Sequence, residues 1–345
     1  MIMNTTLSRK IGQMLLFGWQ GATHAENLCV NDHAAALVDD LAVGGVIVMG
    51  RNAETPERLR ATISELQARA TGQGLPRLFV TVDQEGGEVS RLAPPHFRTI
   101  PDARWIGMTG DTCQARATAR AIGEELRSVG INWDFAPVLD VDNNPNNPVI
   151  GPRSYGADPQ LVAAMGAAAV RGFQVDAGIM ACGKHFPGHG DTDVDSHHAL
   201  PRVGHSMDRL NQVELTPFCA AIYAGLAALM TSHIIFDALD PELPATLSPR
   251  VLTDLLREKM EFDGIIITDC LEMKGVADGW GEVEAAILAV LAGADIVLCC
   301  HTWKTQIAIR DGLVAAVQSG RIPEARIDSA VARINAAKER WLQPS

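Results

Sequence analysis

Gly264-Ile265-Ile266-Ile267-Thr268-Asp269 is a short, strongly apolar run that ends abruptly on a carboxylate. Consecutive β-branched residues favour extended chain, and a run apolar at every position suits a strand buried on both faces, as in a parallel sheet. Working outward, the same signature recurs: apolar runs occupy 14–18, 45–49, 78–83, 132–137, 180–186, 228–233, 264–269 and 295–300. Between them lie helix-like stretches at 56–70, 112–129, 159–175, 206–224, 248–259 and 282–291. Thr55-Pro56 and Ser248-Pro249 read as an N-cap followed by proline at the first helical position. Eight strands alternating with helices predict a parallel sheet, and eight is the number that closes a barrel. The fold class is therefore α/β, a single (β/α)8 TIM-type barrel with some irregularity allowed, and the whole span 1–345 reads as one domain.

Composition narrows the classes of function. The chain has 345 residues, 47% of them hydrophobic and 20% charged, which suits a globular domain with its own core. A formal charge of −12 and a pI near 5.3 argue against nucleic acid as a partner, because phosphate binding needs a basic face. The apolar stretch at 285–294 is too short to cross a bilayer, so no membrane association is expected. The N-terminal segment 1–13, MIMNTTLSRKIGQ, lacks the pattern of a secretion signal. Seven cysteines without metal-type spacing fit reduced thiols, and a cytoplasmic location is the expectation.

Six polar residues stand at the ends of five runs: Asp83, Lys184 with His185, His233, Asp269 and His301. Barrel active sites collect at the C-terminal strand ends. Five of the ten histidines fall between 185 and 205, within and just after Lys184-His185-Phe186-Pro187-Gly188-His189-Gly190-Asp191-Thr192-Asp193-Val194-Asp195-Ser196-His197-His198. Such a segment reads as a metal site, as a catalytic loop, or as a solvated loop enriched by chance. Pro187, Gly188 and Gly190 make it a loop, so a helical zinc pair is not expected and no metal is assigned. Asp195-Ser196-His197 puts a carboxylate two residues from an imidazole, a spacing that can orient the ring and fix its tautomer. A loop of this composition is expected to be mobile and to close over substrate.

These strings together resemble glycoside hydrolase family 3, in its β-N-acetylglucosaminidase branch. The 184–201 segment carries the resemblance first. Asp83-Gln84-Glu85-Gly86-Gly87 followed by Arg91, the block 132–141 followed by Val149-Ile150-Gly151 and Arg153-Ser154, and the block 228–275 agree in order, so that the likeness runs from about 11 to 298. Glu88 departs from it, since the family often has a basic residue there.

The resemblance implies that Asp269 is the nucleophile of a retaining glycosidase and that His197, supported by Asp195, replaces the usual carboxylic acid as acid/base. It implies that Asp83, Arg91, Arg153, Lys184 and His185 hold the hydroxyls of a terminal N-acetylglucosamine; an ion-pair network of Asp83 with Lys184 or Arg153 is the structural alternative, and both can hold at once. His233 is open between a binding residue and a satisfied core histidine. His189, His198 and His205 read as loop scaffolding, and Trp105, Trp280 and Trp303 as packing. No cofactor is expected. The implied substrates are small carbohydrates, N-acetylglucosaminyl muropeptides of peptidoglycan recycling or chitooligosaccharides; protein partners are left unassigned. Two other readings stand beside hydrolysis: a phosphorylase of the same family, because an imidazole does not repel attacking phosphate, and a metal-dependent or metal-binding protein using the His/Asp loop.

Overall fold

The computed structural model describes residues 6–195 and 200–342. Among these, eight parallel strands form one sheet: β1 Leu15–Gly18, β2 Gly45–Val48, β3 Phe79–Val82, β4 Trp133–Asp134, β5 Met180–Phe186, β6 Ala228–Thr231, β7 Ile265–Ile267 and β8 Val297–Cys299. Their order around the sheet is β7-β6-β5-β4-β3-β2-β1-β8. A parallel bridge between Ile267 and Ile296, with the Thr268 N–H donating to the Ile296 carbonyl at 3.1 Å, brings β7 to β8 and closes the barrel. Each of the eight expected apolar runs contains one of these strands, and at least one helix follows every strand.

The strands form because each can bury both faces. Every residue of β1, β2, β3 and β7 is buried, the inner side chains filling the barrel and the outer ones meeting the helices. Aromatic rings contribute the largest volumes. Phe79 meets Trp133 edge-on at 5.1 Å, and Trp133 meets Phe135 at 5.4 Å, contacts worth about 0.5–1.5 kcal/mol each beyond their burial.

The helices follow their sequence signals with one instructive difference. The stretch 206–224 is two helices, Met207–Gln212 and Leu215–Tyr223. Pro217 has no N–H to donate to the Val213 carbonyl, so the helix cannot run through. At the break, Glu214 is buried and meets Arg209 Nη2 at 3.1 Å.

Charges also hold the barrel at the end remote from the strand C-termini. Asp295, fully buried just before β8, accepts the Ile266 N–H at 3.1 Å and pairs with Arg257, with Arg333 at 3.2 Å and with Arg326 at 3.5 Å. One carboxylate thus ties the β7–β8 seam to two surrounding helical segments. Nearby, Lys338 on the helix Glu324–Trp341 buries its ammonium 2.8 Å from Gln13 Oε1 and 5.2 Å from the face of Phe79.

Burial pushes the Lys338 pKa down to about 7. An unfolded chain binds this proton up to about pH 10.5, whereas the folded chain gives it up near 7. Between these limits the unfolded state holds more protons, so this residue makes folding more favourable as pH rises. Lys338→Met, which keeps the volume without the charge, should therefore be more stable than the wild type near pH 7. Thermal denaturation of both proteins should show that gap narrowing as the pH approaches 10.

Candidate active site

The polar strand ends converge. Asp83 follows β3, Lys184 and His185 belong to β5, Asp269 follows β7 and His301 follows β8; all five line one cavity of about 410 Å³. Arg91, Arg153, Glu85 and Glu272 line it too, with Ile47, Met49, Phe135, Met230 and Leu298 as apolar wall. A cavity of this size suits a small molecule whose polar groups meet fixed partners.

Its floor is a charge network. Lys184, 2% exposed, places Nζ 2.7 Å from Asp83 Oδ1 and 2.6 Å from Glu85 Oε1. Glu85 is also held by Arg153 through two parallel bonds, at 2.8 and 2.9 Å. Arg91 Nη2 stands 3.7 Å from Asp83 Oδ2. Burial disfavours each charge, yet the partners prevail: Asp83 and Glu85 hold the lysine above its ordinary value, and Lys184 and Arg153 hold Glu85 well below the usual carboxylate range. The ion-pair alternative is thus present for Asp83 with Lys184, whereas Arg153 pairs with Glu85. Neighbouring Asp134 is different. Fully buried, it has one oxygen accepting the Gln84 N–H at 3.0 Å and the other without a partner among the described residues, and burial raises its pKa well above the usual range.

Asp269 stands across the cavity. Its Oδ1 accepts the Cys270 N–H at 2.7 Å. Burial raises its pKa, but His185, His233, that N–H and Lys184 together bring it below the ordinary value. The carboxylate is ionised and poised beside positive charge. His185 is aimed by Asp140, which lies 2.7 Å from Nδ1 and accepts the His185 N–H; its Nε2 is 3.4 Å from Arg153. The Lys184–His185 peptide is cis. His233 is buried, with Nδ1 2.9 Å from Thr246 Oγ1 and Nε2 3.1 Å from the Cys270 carbonyl. It is a core histidine that fixes the backbone next to Asp269, and it does not line the cavity.

The histidine-rich loop is ordered by its own contacts up to Thr192. Asp140 Oδ1 accepts the His189 N–H at 2.6 Å, and Asn147 Nδ2 donates to the His189 carbonyl at 2.8 Å. Gly190 lies against the Val141 carbonyl so closely that a Cβ there would come within 1.8 Å of its oxygen. Burial, with His185 alongside, pushes His189 down to about 4, so this ring is neutral. Mobility across the whole loop, as its composition suggests, is therefore not expected of 188–192. Asp195 is half-buried beyond this anchored part. His197, the expected partner of Asp195, lies outside the described residues, as does His198.

Glu85, Asp140 and Glu272 are cavity residues or supports that the sequence reading did not single out. Glu85 was accessible by alternation, two positions from Asp83. Glu272 accepts the N–H groups of Cys300, His301 and Thr302 at 2.8–2.9 Å, tying the rim after β7 to the rim after β8. Glu88 is exposed and makes no ion pair among the described residues. Trp105, Trp280 and Trp303 are absent from the cavity lining; Trp303 packs edge-on against His33. Among the described residues, Asp191, His205 and Glu214 gather ligand-type atoms within 4.8 Å, but Arg209 already supplies a permanent cation there, 3.1 Å from Glu214 and 3.7 Å from Asp191.

Comparison with known proteins places the chain in a family. Residues 6–337 match the Glycosyl hydrolase family 3 N terminal domain. "Beta-hexosaminidase A" of Pseudoalteromonas piscicida is 35% identical over 99% of this chain and 62% of its own length. A "Beta-hexosaminidase" of Chromobacterium violaceum is 39% identical over 75% of this chain and 72% of its own length. Among solved structures, a family 3 β-N-acetylglucosaminidase from Paenibacillus sp. str. FPU-7 superposes with a TM-score of 0.94 at 47% identity, covering 98% of this chain and 63% of that one. A β-N-acetylhexosaminidase from Beutenbergia cavernae superposes at 0.89 with 31% identity, covering 97% and 99%. The chain thus spans less than two thirds of the Pseudoalteromonas and Paenibacillus proteins. With almost its whole described length matched, the chain belongs to glycoside hydrolase family 3 through that family's N-terminal domain.

Proposed function

We propose that this chain is the catalytic domain of a retaining β-N-acetylhexosaminidase that removes terminal, non-reducing β-linked N-acetylglucosamine. The observation that carries the reading is Asp269, an ionised carboxylate facing a polar cavity whose opposite floor is the Asp83–Lys184–Glu85–Arg153 network. The names of the relatives agree with it.

In this reading Asp83, Arg91, Arg153, Lys184 and His185 grip the sugar hydroxyls. Charge-assisted hydrogen bonds to fixed partners set both position and orientation. Asp269 Oδ attacks C1 while the bond from C1 to the leaving oxygen breaks, giving a covalent glycosyl–enzyme ester. His197, as imidazolium backed by Asp195, gives its proton to that oxygen. Neutral again, it takes a proton from the water that attacks C1 and releases Asp269. No metal and no cofactor enters. The substrates are the N-acetylglucosaminyl muropeptides of peptidoglycan recycling in the cytoplasm, or chitooligosaccharides, which present the same terminal sugar.

Chromogenic N-acetyl-β-glucosaminides test the assignment. Asp269→Ala should lose nearly all activity. His197→Ala should lose least on a good leaving group, which needs little protonation, and most on a poor one, the span being on the order of 10²- to 10⁴-fold. Equal losses on both would remove His197 as the acid. Release of free sugar unchanged by added phosphate is expected; a 1-phosphate product would make the enzyme a phosphorylase. Replacing Lys184 by Met leaves Asp83 and Glu85 as buried, under-compensated acids, so stability should fall by about 3–5 kcal/mol in chemical denaturation, with KM rising in the surviving protein.

A further inference from the structure

The cavity wall is rich in sulfur. Met49, Met230, Cys270, Met273 and Cys300 all line it, together with Asp269. Thiols and thioethers are weak hydrogen-bonding partners, so sugar hydroxyls alone do not account for them. The two cysteines are far apart in sequence, with no metal-type spacing, and the closing seam of the barrel brings them together. Cys270 follows Asp269 at the rim after β7, and Cys300 stands at the rim after β8. Glu272 joins the two rims: its Oε2 lies 3.6 Å from Cys270 Sγ and accepts the Cys300 N–H at 2.9 Å. The Leu271 N–H donates to the Leu298 carbonyl at 3.0 Å and holds the same seam, while the Met273 N–H donates to the Cys270 carbonyl at 3.1 Å. The two thiols interact directly, and that contact, with burial, pushes the Cys300 thiol up from its ordinary value. A third thiol nearby, Cys299, is fully buried and absent from the cavity lining.

We propose that Cys270 and Cys300 form a binding site for a soft monovalent cation of the copper(I) and silver(I) class, and that the bound ion closes the cavity to substrate. Thiolate and thioether donors select such ions, whereas magnesium, calcium and manganese seek oxygen. Met49, Met230 and Met273 supply further soft donors around the pair. Among the described residues the pair belongs to no group of three or more His, Cys, Asp or Glu ligands, which suits an ion satisfied by two donors and not tetrahedral zinc. Binding exchanges two S–H bonds for two S–metal bonds and releases two protons, with no change of oxidation state. Glu272 is committed to the N–H groups of Cys300, His301 and Thr302, so it favours a cation nearby by its charge and not by ligation. The ion would rest on the side chain next to Asp269, whose Oδ1 the Cys270 N–H fixes, and would take the room that a reacting sugar needs. Ion binding does not depend on which glycoside the cavity hydrolyses.

The test uses the chain with its exposed cysteines, Cys29, Cys113 and Cys219, replaced by Ser, so that surface thiols take up no metal. Silver nitrate in a chloride-free buffer is titrated against hydrolysis of a 4-nitrophenyl N-acetylglucosaminide. One equivalent should remove most of the activity, excess dithiothreitol should restore it, and magnesium nitrate should change nothing. Adding Cys270→Ser or Cys300→Ser, each read against its own activity without silver, should raise the silver needed for half-inhibition by about 10- to 100-fold, the scale on which even the surroundings of a metal ligand act. X-ray absorption at the silver edge, on the protein that keeps both cysteines, should show at least two sulfur neighbours. Half-inhibition unchanged in both serine variants, or silver held by fewer than two sulfurs, would overturn the site. The absorption measurement needs no turnover, so a chain that does not hydrolyse the glucosaminide would overturn the proposed function and leave the metal site to be decided by its sulfur neighbours.

Discussion

A lysine ammonium sealed inside a protein is unstable unless carboxylates surround it, and Lys184 fixes much of the rest of this molecule on that account. Its side chain points from β5 into the barrel mouth, where burial by itself favours the neutral amine. Two acids answer it, Asp83 and Glu85, both from the segment that continues β3. Two acids against one base would leave an excess of negative charge, and Arg153, brought in by the turn Gly151–Arg153, balances the set. Four ionised groups from three separate stretches of chain thereby become one unit. Removing any one of them leaves its partners uncompensated, which is why such a network specifies geometry more firmly than it adds stability.

The same arithmetic shapes the cavity. Lys184 and His185 from the cavity lining, and His233 from the core beside it, favour the ionised form of Asp269 against its burial. Asp140, fully buried, orients His185, holds the His189 N–H, and so couples the His185 ring to the root of the histidine-rich loop. Away from the strand C-termini the task is different. Asp295 with three arginines closes the seam between β7 and β8, and the site at the other end of those strands inherits its rigidity.

Much of this was legible in the amino-acid sequence. The eight apolar runs contain the eight strands, because a strand buried on both faces cannot hide its composition. The polar residues closing those runs identified the cavity for the same reason: Asp83, Lys184, His185, Asp269 and His301 each follow directly from an uninterrupted apolar stretch. His233 closes a run as well, yet its ring is consumed by Thr246 and the Cys270 carbonyl, contacts set by chain far away in sequence. Asp140 and Glu272 were invisible for a related reason. Each lies in irregular chain, and what each does depends on backbone N–H groups supplied by other segments, 45 to 49 positions away for Asp140 and 28 to 30 for Glu272. The broken helix at Val213 could have been read from Pro217, whose missing N–H forbids the continuous form.

The central claim is covalent: the carboxylate at the rim of β7 bonds to the sugar. Incubation with a slow fluorinated N-acetylglucosaminide, followed by digestion and tandem mass spectrometry, addresses it directly. The account predicts one equivalent of sugar on the peptide containing Asp269, attached to that residue, and hydrolysis products that first appear as the β-anomer by NMR. A label on any other residue, or a product that first appears as the α-anomer, would contradict it.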